Sequence, residues 1–392
     1  MSRIKALLLE LNLSNNMAGI YFHIPFCKQA CHYCDFHFST NFRNTDELIE
    51  SLRKELQLQS HYLDGEQIET IYFGGGTPSS ISPKKINALI QEVYRIHLVI
   101  KHPEITLEAN PDDLTKENLI AWQEAGVNRL SVGVQSFIDP HLVWMNRAHN
   151  QAQAIKGLRL AQNIGITNIS MDLIYGVPNM TLDQWKSNIQ QFLDLKLPHL
   201  SAYGLTIEPQ THLGHLAETK QVEITSDSNY NKQFEVLMNV LEANGFDHYE
   251  ISNFGLLGLY SKHNTAYWLG KKYLGIGPSA HSFNGVNRQW NISSNRKYTK
   301  SLKEGKVPSE DEKLSKNDQF NEYILTRLRT IWGIEPNQIK KQFGASFQNN
   351  LHLNIQQYLD SGHVVFDQKS YVLTRSGKRI ADKISSDLFI VP

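Results

Sequence analysis

The sequence predicts an α/β protein, a partial barrel of six β/α units followed by a small C-terminal domain of winged-helix character. Three observations carry this. From residue 19 to about 206, short β-branched or aromatic runs alternate with stretches of helical period, the pattern of right-handed βαβ units around a parallel sheet. Polar residues recur at the ends of successive runs, where a barrel of this type gathers its chemistry. Beyond about residue 310 the pattern becomes helices with a single hairpin.

The expected strands are "GIYFHI" (19–24), "IETIYF" (68–73), "ITLEA" (105–109), "RLSVGV" (129–134), "NISMDLIY" (168–175) and "LSAYGLTI" (200–207), with five helices between them. "TDELIESLRKELQLQSHYL" reads as a helix capped by Thr45, and "TKENLIAWQEAG" as one capped by Thr115 and stopped near Gly126. A longer helix around 229–243 leads to "HYEISNF" and then to "HNTAYWLGKKYLGIGPSAHSFNG", rich in glycine and aromatics. The charged, breaker-containing "SLKEGKVPSEDEKLSKND" reads as a linker. The expected division is an N-terminal extension (1–16), the barrel (17–250), the Gly/aromatic segment with its linker (251–309) and the C-terminal domain (310–392).

Composition narrows the function. Hydrophobic residues at 41% and charged ones at 20% suit a globular chain and give no case for disorder. Lys plus Arg equals Asp plus Glu at 39 each, so bulk charge offers no field for nucleic acid. No apolar run reaches the roughly 20 residues that cross a bilayer, and the "ALLLELNL" stretch near the start lacks a signal-cleavage pattern. The expected location is the cytoplasm. Three cysteines cannot close a disulfide set, and reduced, clustered thiols point to metal or redox chemistry.

All three lie in "CKQACHYCDFHF", spaced C-x3-C-x2-C directly after the first strand. Thiolates select zinc or an iron-sulfur cluster. A zinc site would want a fourth ligand, which His23, His32 or His37 could supply; a cubane would keep one iron open for a small molecule. Further polar groups recur down the barrel. "FGGGTPS" ends the second strand with a glycine run over which a ligand can approach the backbone, and it lacks the Lys-Ser/Thr ending of a phosphate loop. Glu108 closes the third strand, Gln135 follows the fourth and Asp172 lies in the fifth.

With its aromatic Tyr33 before the last Cys, the loop resembles that of the radical S-adenosylmethionine (SAM) superfamily. The resemblance implies a [4Fe-4S] cluster on Cys27, Cys31 and Cys34, with SAM chelating the open iron and its reductive cleavage giving a 5'-deoxyadenosyl radical. It also implies a SAM pocket. Gly75, Gly76 and Thr77 would receive the ammonium group together with Glu108, Gln135 and Asp172 the ribose, and Arg147 in "WMNRAH" the carboxylate, with Tyr21 beside the methionine end.

The order "YFHIPFC", "GGGTP", "LEANP", "GVQSF", "NRAH", "DLIYGVP", "YEISNF" is similar over nearly the whole chain to one branch: oxygen-independent coproporphyrinogen III dehydrogenases and their HemW relatives, which are haem chaperones. Two departures favour HemW. The dehydrogenases resemble C-x3-C-x2-C-x-C, where this chain has Phe36 for the fourth Cys, and they carry a longer N-terminal extension, where only 20 residues precede Tyr21 here. The HemW motif "HNxxYW" is matched by His263, Asn264, Tyr267 and Trp268. An imidazole suits haem iron and flat rings pack on a porphyrin, so the resemblance makes His263 the expected haem ligand, with His281 of "GPSAHSF" as alternative. It further implies haem as cargo, acceptor haem proteins such as membrane-bound respiratory enzymes as partners, peripheral membrane contact through them, and homodimers among the assemblies left open. Oxidative decarboxylation of coproporphyrinogen III is the competing activity.

Overall fold

The structure, a computed structural model, describes residues 17–391; the expected N-terminal extension falls outside the described residues. β1 (Met17–Ile24), β2 (Gln67–Gly75), β3 (Val99–Ala109), β4 (Arg129–Gln135), β5 (Ile169–Tyr175) and β6 (His199–Gly204) pair in chain order, every pair parallel. Five crossovers carry helices Thr45–Leu58, Pro83–Ile96, Lys116–Glu124, Gln151–Ile164 and Leu182–Asp194.

Two interleaved sets of side chains explain the barrel. Ile20, Phe22, Ile71, Phe73, Leu107, Leu130 and Met171 are fully buried and join Leu48, Leu52, Leu89 and Leu158 of the helices in one core. The residues between them are polar: Tyr21, His23, Thr70, Tyr72, Glu108, Ser131, Ser170 and Asp172. Because successive strand residues point to opposite faces, the apolar set meets the helices and the polar set fills the interior. There it pairs with itself, as in Ser170 Oγ with His199 Nδ1 (2.7 Å) and Ser201 Oγ with Asn253 Oδ1 (3.1 Å), as buried polar groups require.

The sheet continues past both edges of the six parallel strands. β7 (Asp247–Glu250) and β8 (Asn253–Gly255) extend it antiparallel beyond β6, while β9 (Tyr273–Ile276) lies parallel to β1 and is followed by β10 (His281–Phe283), β11 (Asn287–Asn291) and β12 (Ser309–Lys313). The stretch expected to be a linker is therefore structured. Asn295–Lys303 is helical, and residues 309–313 pair in antiparallel register with β11. Its charges fit an outermost strand, where they discourage edge-to-edge pairing. Thr45 is likewise not a cap: it is the first helical residue after Asn44, and its Oγ1 donates to Phe42 O (2.6 Å). Thr115 does cap its helix, accepting from Asn118 N, and Gly126 follows the helix end at φ +100°.

Helices Lys316–Leu328, Pro336–Phe343 and Ala345–Asp360, the hairpin β13 (Val364–Asp367) and β14 (Ser370–Leu373), and the helix Ala381–Asp387 form a C-terminal unit. It has its own core around Phe320, Ile324, Leu351, Ile355 and Ile384. Arg329 joins the two parts: its guanidinium donates to the buried Glu250 (3.0 and 3.1 Å) and lies 5.4 Å over the Trp268 ring. Backbone bonds Ile251 N to Arg329 O (3.1 Å) and Ile331 N to Tyr249 O (3.0 Å) run alongside. No helix of the described residues is long and apolar enough to cross a membrane.

Arg329→Ala strands a carboxylate that is 99% buried, since Glu250 is only 1% exposed. The expected loss is roughly 3 kcal/mol, in the range for breaking a buried pair, read as a lower urea midpoint. An unchanged midpoint would show that this ion pair does not hold the two parts together.

Candidate functional site

The loop of residues 25–38 leaves β1 and is closed at its base by Cys27 N to Ser39 O (3.1 Å) and Ser39 N to Pro25 O (2.9 Å). Its three thiols are free and half-buried. Thr77 Oγ1 donates to Cys27 Sγ (3.4 Å), and Arg147 Nη1 donates to Cys31 Sγ (3.2 Å). Burial pushes the Cys27 thiol up and that of Cys34 up to about 11, so a bound metal would be needed to hold either as thiolate at neutral pH. Among the described residues, no three His, Cys, Asp or Glu gather tightly enough to clasp a single ion. A cluster does not ask for that, because each thiolate takes its own iron. The three histidines near the loop are each tied elsewhere: His23 Nε2 donates to His37 O (2.9 Å), His32 Nδ1 to Trp144 O (2.7 Å) and His37 Nε2 to Asn295 Oδ1 (2.7 Å).

The glycine run at the end of β2 lies against this loop. Gly76 N donates to Ile24 O (3.0 Å) and Thr77 N to Phe26 O (2.7 Å). A Cβ on Gly76 would stand 2.8 Å from Phe26 N and O, and one on Gly75, at φ +109°, 2.8 Å from the His23 ring. Only glycine lets the two segments come this close. Gly74 has a similar task, since a Cβ there would crowd Glu108 Oε1, Tyr21 and Tyr72 at 3.0 Å each.

Glu108 and Gln135 sit at the ends of β3 and β4, Asp172 lies midway along β5, and Arg147 follows the short helix Asp139–Trp144. Burial pushes the Glu108 carboxyl up to about 7 although Tyr72 donates to it (2.8 Å). Burial raises Asp172 to about 6, against a donor in Ser131 Oγ (3.4 Å). Gln135 is buried at φ +68°. Arg147 Nη2 donates to Asn110 Oδ1 and to Gly133 O (2.7 Å each), and Nη1 lies 3.5 Å from Tyr33 OH. Its Nε has no partner among the described residues. Arg147 thus stands on the thiol loop itself, gripping Cys31 and Tyr33. Sequence reading missed Asn110 and Tyr72, whose only signal was adjacency to Glu108 in the sequence or on the neighbouring strand.

The "HNxxYW" residues occupy the helix Lys262–Trp268. His263 is 1% exposed and both its nitrogens are engaged, Nδ1 with Thr70 Oγ1 and Nε2 with Tyr267 OH, at 2.7 Å each. Burial drops it to about 3. Its ring stacks on Tyr72, centroids 4.9 Å apart. Contrary to the expectation of an imidazole offered to haem iron, a lone pair becomes available here only if one of these bonds is given up. Asn264 only continues the helix start, its N–H donating to Ser261 Oγ (3.3 Å). Tyr267 and Trp268 face outward, lining a cavity of about 940 Å³ bounded by the loop residues Phe36 and His37, the β10 residues His281 and Phe283, and helix residues Tyr323 and Arg327 of the C-terminal unit. Phe36, in the place of the missing fourth Cys, is 66% exposed.

Comparison with known proteins bears on this arrangement. The Radical SAM superfamily pattern matches residues 21–192, and that of the HemN C-terminal domain residues 314–380. The chain is 32% identical over 371 residues to a protein named heme chaperone HemW from Bacillus subtilis, covering 94% of this chain and 98% of that one. To the protein of the same name from Lactococcus lactis it is 33% identical, covering 93% and 95%. Among solved structures, coproporphyrinogen III oxidase (HemN) from Escherichia coli superposes with a TM-score of 0.82 at 21% identity over 98% of this chain and 93% of that one, a likeness of fold.

The tight approach of the glycine turn to the thiol loop is testable. Gly76→Ala must displace backbone, so it is expected to cost roughly 1–3 kcal/mol, as overpacking does, and to lower the thermal midpoint. A variant as stable as the parent would mean that the two segments stand further apart.

Proposed function

The chain belongs to the HemW family, and on that footing we propose that it is a haem chaperone holding a [4Fe-4S] cluster and SAM at the barrel mouth, seating haem in the adjoining cavity and passing it to acceptor haem proteins. One observation carries the reading. The cavity of about 940 Å³ is walled by Tyr21, Tyr267, Trp268, Tyr273, Phe283 and Phe343, large and aromatic enough for a flat macrocycle whose faces want ring contacts.

For the cluster, Cys27, Cys31 and Cys34 are the proposed ligands, and the donor set fits: three thiols on one loop, a glycine turn with no Cβ in the way, and an arginine already turned to one sulfur. With SAM bound beside it, the cluster would supply the electron for reductive cleavage of the sulfonium. The chain's own part is to bind and orient. Glu108, with the backbone of Gly75, Gly76 and Thr77, would take the ammonium, Gln135 and Asp172 would take the ribose hydroxyls, and Arg147 would neutralise charge beside Cys31 and meet the carboxylate. Tyr33 and Tyr21 close the two sides. The acceptors are taken to be respiratory haem proteins at a membrane, reached from the cytoplasm, with a homodimer as one possible carrier form.

Two expected outcomes follow. Reconstituted anaerobically, the protein should hold about four irons and four sulfides per chain, give a stable haem absorption spectrum on titration, and leave coproporphyrinogen III unchanged. Zinc without sulfide would overturn the cluster, and decarboxylation without haem retention would overturn the chaperone. SAM affinity should also depend on pH. The Glu108 carboxyl, raised to about 7 by burial, is protonated below that value and then cannot pair with an ammonium. Binding should weaken as pH falls from 8 to 6, by up to about tenfold per unit below the pKa. Glu108→Gln should bind weakly at both ends with that slope gone; a slope that survives would assign the titration elsewhere.

A further inference from the structure

We infer that the cavity fixes a metalloporphyrin through two side chains, Arg327 as the anchor for a propionate carboxylate and His281 as the ligand to the iron. This rests on the haem-chaperone reading above and names the groups that would execute it.

Consider first the cations of the cavity wall. Arg288 is spent: its Nη2 donates to Glu322 (2.9 Å), its Nε to the other oxygen of the same carboxylate, and its Nη1 to Tyr273 OH (3.1 Å). Lys271 is paired with Glu69 (2.9 Å). Arg327, reaching in from the helix Lys316–Leu328, makes no ion pair among the described residues. One nitrogen, Nη2, donates to Leu269 O (3.2 Å), and the guanidinium lies 5.4 Å over the Tyr323 ring. A half-buried cation with no ion-pair partner is costly to keep, and burial pulls its pKa down against the weaker pull of Glu335. A ligand carboxylate would relieve that cost and use the planar fork of donors left over.

The histidines sort in the same way. His37 spends a ring nitrogen on protein, and His23 and His263 each spend both. His281 lines the cavity, is exposed, and makes no side-chain hydrogen bond among the described residues. It shares the cavity face of β10 with Phe283, two residues on, as strand alternation requires, and the Trp290 ring lies beside it at 6.3 Å. A neutral imidazole with a free lone pair, next to aromatic rings, is what haem iron takes. The two anchors come from different parts of the chain, one from the barrel sheet and one from the C-terminal unit, so a porphyrin held by both would bridge them.

The test titrates haem, and separately haem dimethyl ester, into the full chain and into His281→Ala and Arg327→Gln, with circular dichroism to confirm folding. For His281→Ala, the absorption of nitrogen-ligated haem should disappear and return on adding imidazole. An unchanged spectrum would remove His281 as ligand. The parent should bind haem about tenfold tighter than the ester, the value of one charge-assisted hydrogen bond, and Arg327→Gln should lose that preference while binding the ester like the parent. Equal weakening toward haem and ester would show a packing role and overturn the anchor. If the parent itself binds no haem, the chaperone reading fails; if it binds haem and neither variant departs from it, only this inference fails.

Discussion

The arrangement depends on one carboxylate inside the barrel. Glu104, on β3, accepts from the backbone N–H groups of Lys262 (3.1 Å) and His263 (3.0 Å), the first two residues of the helix Lys262–Trp268. Those are donors a helix start cannot satisfy for itself, and Glu104 is buried, with the guanidinium of Arg129 at 3.9 Å. The bond holds a short helix against β1, β2 and the helix Lys316–Leu328. A six-stranded sheet that does not close needs something to fill its polar interior, and this helix supplies it.

Once that helix is in place, the two candidate sites share a wall. Tyr72 donates to Glu108 on the SAM side and stacks on His263, which in turn bonds Tyr267 on the cavity side. Tyr21 stacks on Tyr72 (6.0 Å) and also lines the cavity. Seen this way, His263 belongs to the partition: its Nδ1 fastens the motif helix to β2, its Nε2 holds Tyr267 of the same helix, and the residues that the motif turns toward the cavity are Tyr267 and Trp268. A motif can thus mark a ligand site through its framework as well as through its contacts. Under the proposed function, occupancy on one side would be felt on the other through packed rings.

What could be read from sequence was what local pattern encodes. Short β-branched or aromatic runs between helical stretches located all six parallel strands, and the glycine run, Glu108 and Gln135 fell at strand ends because strand length and helix return fix where each run stops, while Asp172 lies midway along β5. What could not be read was pairing across the chain. Residues 309–313 carry four charges in five positions, so nothing local distinguishes an edge strand from a linker; β11 decides it. The imidazole of His263 looked free in "HNTAYW" because its partner Thr70 is 193 residues away. Arg327 gave no signal at all, since an unpaired guanidinium is recognisable only when every neighbouring carboxylate has been assigned.

The same logic explains why His281 is better placed than its short strand suggests. β10 has only three residues, and a ligand on a loose hairpin would wander. Glu55, fully buried on the first helix, prevents this: its carboxylate accepts from Gly277 N (2.8 Å) on one side of β10 and from Asn291 Nδ2 (2.6 Å) at the end of β11, and further from Gln59 Nε2 (2.8 Å) and Tyr298 OH. Four donors converge on one carboxyl group, so the hairpin is clamped at its base by a group in the barrel's own helical layer. A ligand presented from such a support keeps its geometry, whereas the opposite wall of the cavity belongs to a separately packed unit. The seat is therefore supported on the side of the proposed iron ligand by the barrel's own helical layer, and on the side of the carboxylate anchor by a unit with a core of its own.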